Sequence, residues 1–326
     1  MRAVSYDRQG PASEVLQFGE LPDPEPGPGE VRVRLRFSGV NPGDTKKRAG
    51  YFGSAMPYAR VIPHSDGSGV IDAVGEGVAQ DRRGQRVWVY NAQSYRPYGT
   101  AAQFTVVPDI TAVMLPDEVD DQLGACLGIP GITAHRAVFA DGAVAGRTVL
   151  VHGALGAVSS LAAQLAHWAD ATVISTVRRT ADLELLTPDL RERAVALDVA
   201  DPVSAISDQA PDGVDRIVEV AFSDNIDLDS RVAGNGAVIA AYATRDPRPR
   251  FDFWPMLFDN LTIRLLGSDD FPADAKQQAA TDLTTAAKDG ALTVPIADAF
   301  ELASAAAAHD QVDLDNRRRV LLTIPD

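Results

Sequence analysis

The stretch Thr148-Val149-Leu150-Val151-His152-Gly153-Ala154-Leu155-Gly156-Ala157-Val158-Ser159 constrains the fold more than any other part of the chain. An apolar run enters a cluster of small residues. Val158, Leu161, Ala162, Leu165, Ala166 and Ala169 then recur at helical spacing. A strand that turns sharply into an amphipathic helix is the opening unit of a parallel α/β sheet. Small residues at such a turn let backbone N–H groups of Ala154, Gly156, Ala157 and Val158 approach a pyrophosphate at the helix N-terminus. Ser159 stands where a third small residue, usually glycine, lets helix and strand pack closely, so its side chain is expected to cost some packing.

Further strand-like runs follow the turn at 171–176, 216–220, 236–240 and 261–266, which predicts a doubly wound sheet. The first third reads differently. Val31-Arg32-Val33-Arg34-Leu35-Arg36-Phe37 alternates apolar and cationic residues with period two, the mark of a half-buried strand. Short strands recur at 69–74, 86–90 and 102–107, separated by turns such as Gly75-Glu76-Gly77, which predicts a small β-barrel. A helix over 301–310 and a strand over 319–324 close the chain, with the topology of that last strand left open. With 326 residues, two domains are expected. We place them at 1–121 with 290–326, and at 122–289.

The end of the second Rossmann-type strand decides the cofactor. It reads Ser175-Thr176-Val177-Arg178-Arg179-Thr180, and no acid occurs from Ala171 to Ala181. An enzyme for NAD places Asp or Glu here to hold the ribose 2′-hydroxyl. Thr176, Arg178 and Arg179 suit a 2′-phosphate instead, so NADPH is expected over NADH. Tyr242 and Ala243 follow a later strand, where ligands bind beyond the carboxyl edge of the sheet, and backbone contact with the nicotinamide is expected there.

Composition excludes several classes. A formal charge of −15 disfavours nucleic acid, whose phosphates need clustered Lys and Arg. No apolar run approaches bilayer length and no signal-peptide layout opens the chain, so no membrane partner and a cytoplasmic address are expected. The single cysteine, Cys126, rules out an intrachain disulfide and a cysteine-built zinc site; its apolar setting reads as core.

Several motifs, in order, resemble the zinc-free medium-chain dehydrogenase/reductases of the NADPH:quinone oxidoreductase (zeta-crystallin-like) family. Gly39-Val40-Asn41-Pro42-Gly43-Asp44 with Arg48-Ala49-Gly50 is similar to its Asn-Pro-x-Asp…Arg-x-Gly segment. Pro63-His64-Ser65-Asp66-Gly67-Ser68-Gly69-Val70 with Val74-Gly75-Glu76-Gly77-Val78, and Gly128-Ile129-Pro130-Gly131-Ile132-Thr133-Ala134, resemble two more. The resemblance implies a GroES-like catalytic domain, a Rossmann cofactor domain and an active site in the cleft between them. It places Asn41 and Thr133 at the cofactor. It also implies a homodimer formed through the last strand of the cofactor sheet, here Leu261–Gly267. The turn departs from the family's usual Ala-x-Gly-Gly-Val-Gly.

Zinc alcohol dehydrogenases share this architecture and polarise an alcohol oxygen with the metal. Here the equivalent segments offer Asn41 and Ser65, with no cysteine near either, so no metal is expected. Hydride delivery to a quinone or a similar conjugated carbonyl needs only orientation and a hydrogen bond to the developing oxyanion. Asn41 is the expected polar anchor, with Lys46 and Tyr51 as candidates for oxyanion or proton duties. Asn41 before Pro42 also suits a turn, and Lys46-Lys47-Arg48 also suits a solvated face. Tyr95, Tyr98, Phe253 and Trp254 lie in Pro-containing loops and could line an acceptor pocket or simply pack loops. Reduction of a 2-alkenal or enone double bond, and NADPH binding without catalysis, are the alternative functions.

Overall fold

A computed structural model describes residues 1–53, 55–314 and 317–325. In chain order the strands are β1 (Arg2–Ser5), β2 (Gln17–Glu20), β3 (Glu30–Val40), β4 (Asp66–Val74), β5 (Arg86–Val89), β6 (Phe104–Pro108) and β7 (Ala112–Met114). There follow β8 (Thr148–Val151), β9 (Thr172–Val177), β10 (Val195–Ala196), β11 (Val214–Glu219), β12 (Ala233–Ala241), β13 (Thr262–Leu265), β14 (Phe300–Glu301) and β15 (Val320–Thr323). The chain divides into two compact units, residues 1–129 with 294–326, and residues 130–293. These divisions fall a few residues later than the 121/122 and 289/290 divisions placed from sequence.

The first unit is built on β3. Its apolar positions Val31, Val33 and Leu35 are buried, while Arg32 and Arg36 reach outward to Asp72 at 3.0 Å and Asp121 at 2.6 Å. Burying three aliphatic side chains on one face gives about 1.5–3 kcal/mol each, which holds the register against a one-residue slip. β3 pairs antiparallel with β4, β6 and β15, and the sheet runs β14-β15-β3-β4-β5-β7 with β6 joined to β3. The terminal strand β15 thus returns to this unit, a topology the sequence left open. The pairings among the described strands form an open path, and the GroES-like architecture requires no closed barrel.

The second unit is a six-stranded parallel sheet of order β10-β9-β8-β11-β12-β13. Strand order reverses between β8 and β11, the crevice where open α/β sheets bind ligands. The helix Ala157–Trp168 runs out of β8 and buries Leu161, Ala162, Leu165 and Ala166, the predicted face. A sixteen-residue helix, Ala273–Lys288, also packs in this unit. Among the described residues, no helix is long and apolar enough to cross a membrane.

Candidate functional site

In the first unit the expected anchor Asn41 caps the helix Pro42–Ala49. Its own amide donates to the Asp44 carboxylate at 2.8 Å, and its carbonyl accepts from Asp44 and Thr45. The carboxamide is engaged at both ends. Asn41 Nδ2 donates to Asp66 Oδ2 at 2.7 Å, and Oδ1 accepts from Arg319 Nη1 at 2.8 Å. Arg319 Nη2 also reaches Asp66 Oδ2 at 2.8 Å, and all three side chains are buried. Asp66 Oδ1 accepts the Ile129 amide at 2.7 Å. A side chain on Gly128 would collide with that carboxylate, which is why this position carries glycine. An internal ion-paired network thus uses both the donor and the acceptor of Asn41, the expected polar anchor.

Asp44 is buried beside Asp66, and burial first, then that neighbour, pushes its carboxyl up to about 7. His64 adopts a left-handed backbone, φ 77°, where glycine is unstrained. Its Nδ1 meets Ser38 Oγ at 2.8 Å and its Nε2 meets His309 Nε2 at 2.9 Å, with the rings stacked. Cys126 is buried core, and burial pushes its thiol up to about 12. Lys46 and Tyr51 lie together at the end of the Pro42–Ala49 helix, with Lys46 Nζ 5.4 Å from the Tyr51 ring centre. Tyr51 is exposed, as are Tyr95 and Tyr98.

In the second unit the turn is more tightly wired than its sequence indicates. The Ala154 amide donates to Thr176 O at 2.9 Å, and the Gly156 amide donates to Gly153 O at 2.8 Å. Neither amide is open to a ligand. Thr176 is fully buried, and its hydroxyl takes the Gly153 amide at 3.3 Å and faces His152 Nδ1 at 2.9 Å. These three expected cofactor contacts are corrected to internal struts of the turn. The amides of Ala157, Val158 and Ser159 remain as the orphan donors of the helix's first turn. Gly153 holds φ 66°, the left-handed value the turn needs.

Ser159 costs less packing than expected. Its hydroxyl donates to His152 O at 2.6 Å and meets Tyr242 Oη at 2.7 Å, so a fully buried polar group is satisfied. Tyr242 gives its amide to Glu219 O at 3.1 Å, and Ala243 O accepts from Phe222 at 3.1 Å. Thr133 is buried in the first turn of the helix Ile132–Phe139. Arg178 and Arg179 are exposed at the end of β9. Arg179 ion-pairs with Asp182 at 3.4 Å, one residue beyond the acid-free window read from sequence.

The sequence reading missed a buried cluster behind the turn. His152 Nε2 lies 2.8 Å from Asp229 Oδ1 and 3.7 Å from Glu219 Oε2, and all three residues are wholly buried. Glu219 also accepts from Ala221 N and from Asn225 Nδ2 at 3.0 and 3.1 Å. Burial, then the Asp229 charge, pushes its carboxyl up to about 7. Burial opposes charge on His152, but the facing Asp229 and Glu219 outweigh it and raise the imidazole above its usual value. The signal was available: a histidine and a glutamate each end an otherwise apolar strand run.

The alcohol dehydrogenase GroES-like domain model matches residues 27–117. The chain is 34% identical to rat quinone oxidoreductase over 211 residues, 64% of this chain and 62% of the rat protein, so that match spans under two thirds of the relative. It is 28% identical to human quinone oxidoreductase over 319 residues, 96% of this chain and 94% of the human one. The fold matches a mycobacterial protein solved with NADPH, with TM-score 0.83, 23% identity and 99% of each chain covered. Matching motifs, two-unit architecture and relatives agree: the chain carries an alcohol dehydrogenase GroES-like domain and is similar to the quinone oxidoreductases among the medium-chain dehydrogenase/reductases.

Proposed function

We propose that this chain is an NADPH-dependent oxidoreductase that reduces a quinone or similar conjugated carbonyl without a catalytic zinc. The observation that carries the reading is the first turn of the Ala157–Trp168 helix. It presents the amides of the half-buried Ala157 and Val158 beside the β8/β11 reversal, and an exposed Arg178-Arg179 pair follows β9. Those donors and the helix dipole suit a diphosphate. The arginines suit a 2′-phosphate, and the exposed Arg179 side chain also reaches the buried Asp182 carboxylate at 3.4 Å. When bound, NADPH supplies the hydride.

Absence of zinc chemistry is supported by Arg319. Its guanidinium already lies on Asn41 Oδ1 and Asp66 Oδ2, so a fixed positive charge occupies the place where a dication would need anionic ligands. We assign Asn41 to positioning and keep Lys46 and Tyr51 as the donors proposed for the developing oxyanion. Homodimer formation is supported by the free edge strand β13 and the exposed Phe253, Trp254, Phe258 and Leu265 around it. Sedimentation of Leu265→Asp as a monomer, against a dimeric parent, tests that part.

The test of the activity is NADPH oxidation by the pure protein with para-benzoquinone and, separately, a 2-alkenal. Turnover of the quinone supports the reading, and turnover of the alkenal alone assigns the double-bond reductase. Binding without turnover of either leaves a cofactor-binding protein. Replacing Arg178 and Arg179 by alanine is expected to weaken NADPH at least tenfold and NADH little, on the basis that charge-assisted phosphate contacts are lost. Equal weakening of both cofactors removes the phosphate assignment.

A further inference from the structure

We propose that His152 is a positioning residue of the dinucleotide turn, held as an imidazolium by Asp229 and Glu219. The proposal rests on the cofactor reading above and adds to it the group that sets the turn's shape and local charge. One residue here ties together four elements. Its ring joins β8 to β9 through Thr176 Oγ1, and to the helix Phe222–Val232 through Asp229. Glu219 faces it from β11. Its carbonyl receives the Ser159 hydroxyl, which in turn holds Tyr242 beyond β12. Thr176 Oγ1 also takes the Gly153 amide, so a displaced ring would release the first residue of the turn.

The charge follows from what surrounds the ring. Nε2 faces only carboxylates, so it carries a proton. Asp229 Oδ2 is buried without a hydrogen-bond partner among the described residues. Two acids in a dry space need a positive charge, and among the described residues the imidazole is the cation that faces them. Thr176, Asn225, Ser159 and Tyr242 complete the surroundings, and none is charged at neutral pH. With both acids ionised and the ring neutral, the cluster would set two negative charges behind amides that bind a diphosphate. The imidazolium removes one of them, and a proton on Glu219 itself, which burial favours, removes the other.

The experiment pairs nitrogen-15 NMR of histidine-labelled protein, recorded without cofactor, with NADPH titrations at mildly acidic and mildly alkaline pH. The His152 resonance is identified as the one that shifts in Glu219→Gln, an isosteric change that keeps the Asn225 contact. An imidazolium at neutral pH is expected. NADPH affinity is expected to fall roughly tenfold from about pH 6 to about pH 9, an effect of the size that one partly screened charge produces. In Glu219→Gln the profile flattens and alkaline affinity rises. Asp229→Asn, if folded, turns the ring neutral.

A neutral ring at neutral pH overturns the proposal, as does a pH profile unchanged in Glu219→Gln. Stoichiometric binding of Zn²⁺ by the parent, abolished in that variant, also overturns it by making the cluster a cation site. A chain that holds the imidazolium yet binds no dinucleotide at any pH overturns the oxidoreductase reading and the positioning role together. The charged cluster would then still stand.

Discussion

Each unit buries a carboxylate cluster with one cation, and the two clusters solve the problem of burial differently. In the first unit Asp66 meets Arg319, whose charge is permanent, and the remaining lone pairs go to Asn41 Nδ2 and the Ile129 amide. In the second unit Asp229 and Glu219 meet His152, whose charge is conditional, and Asp229 Oδ2 stays unpartnered. A guanidinium gives a lock that pH does not open. An imidazole facing two acids, which raise it above its usual value, gives a joint whose charge pH can remove. The contrast assigns Asn41–Asp66–Arg319 to framework and His152–Asp229–Glu219 to the control of the turn proposed to hold the cofactor.

The sharpest way to break this contrast is to remove the permanent cation. Arg319→Met leaves Asp66 and Asn41 buried without their partner and strips a donor from Val40 O, which Nη1 holds at 2.5 Å. A loss of about 3–5 kcal/mol is expected, because an uncompensated buried charge is what remains. Urea unfolding measures it. Adding Asp66→Asn should recover a good part of the loss. A single variant within about 1 kcal/mol of the parent would show that the network carries no such weight.

A second contrast lies inside the first unit and concerns acid. His309 is buried against His64, and burial, then the Arg48 charge, holds it down at about 4. The unfolded chain accepts that proton at about 6.5, so stability is lost as pH falls from about 6.5 towards about 4, by up to about 3 kcal/mol. His64, also pushed down by burial, acts in the same direction. Asp44 acts in the opposite one. Raised to about 7, it keeps a proton the unfolded chain releases above about 3.8, so its contribution fades as pH rises across that span. His309→Asn should therefore flatten the acid limb and leave the Asp44 limb in place. Urea midpoints measured between about pH 4 and about pH 7 read both, and an unchanged acid limb in His309→Asn would sink the assignment.

These clusters also mark where sequence legibility stopped. Strands announced by alternation or by apolar runs were found close to their limits: the 31–37 alternation lies within β3, and 148–151 is β8 itself. Local chemistry writes such signals, because burial of one face repeats every second residue. The helix Ala273–Lys288 was not read, since its alanines and threonines draw no strong apolar stripe. The hairpin of β1 and β2 was missed for a related reason: β2 is exposed throughout.

At the candidate sites, local reading placed the turn but mistook its donors. Ala154, Gly156 and Thr176 have the right sizes for a ligand cradle, yet their bonds run to each other's neighbours across β8 and β9. Asn41 was selected by motif, and its partners Asp66 and Arg319 lie 25 and 278 residues away in sequence. Nothing local foretells such a meeting. What sequence does offer is the anomaly of a charge among apolar neighbours, as at Glu219 within Arg216-Ile217-Val218-Glu219-Val220.

The smallest expected effect sharpens the account of the turn. Ser159 stands where glycine would remove a side chain from the contact between helix and strand, yet its hydroxyl joins His152 O to Tyr242 Oη. If those bonds offset the crowding, Ser159→Gly should cost about 1 kcal/mol, the usual net worth of a buried hydrogen bond with some backbone entropy added. The loss should shrink when Tyr242 is already phenylalanine, because the bond between the two hydroxyls is then gone, while the bond to His152 O and the backbone term remain. A double-mutant cycle on thermal unfolding isolates that coupling. Were Ser159→Gly to stabilise the chain, the hydroxyl would be a tolerated intruder, and the tie from His152 to Tyr242 would drop out of the argument.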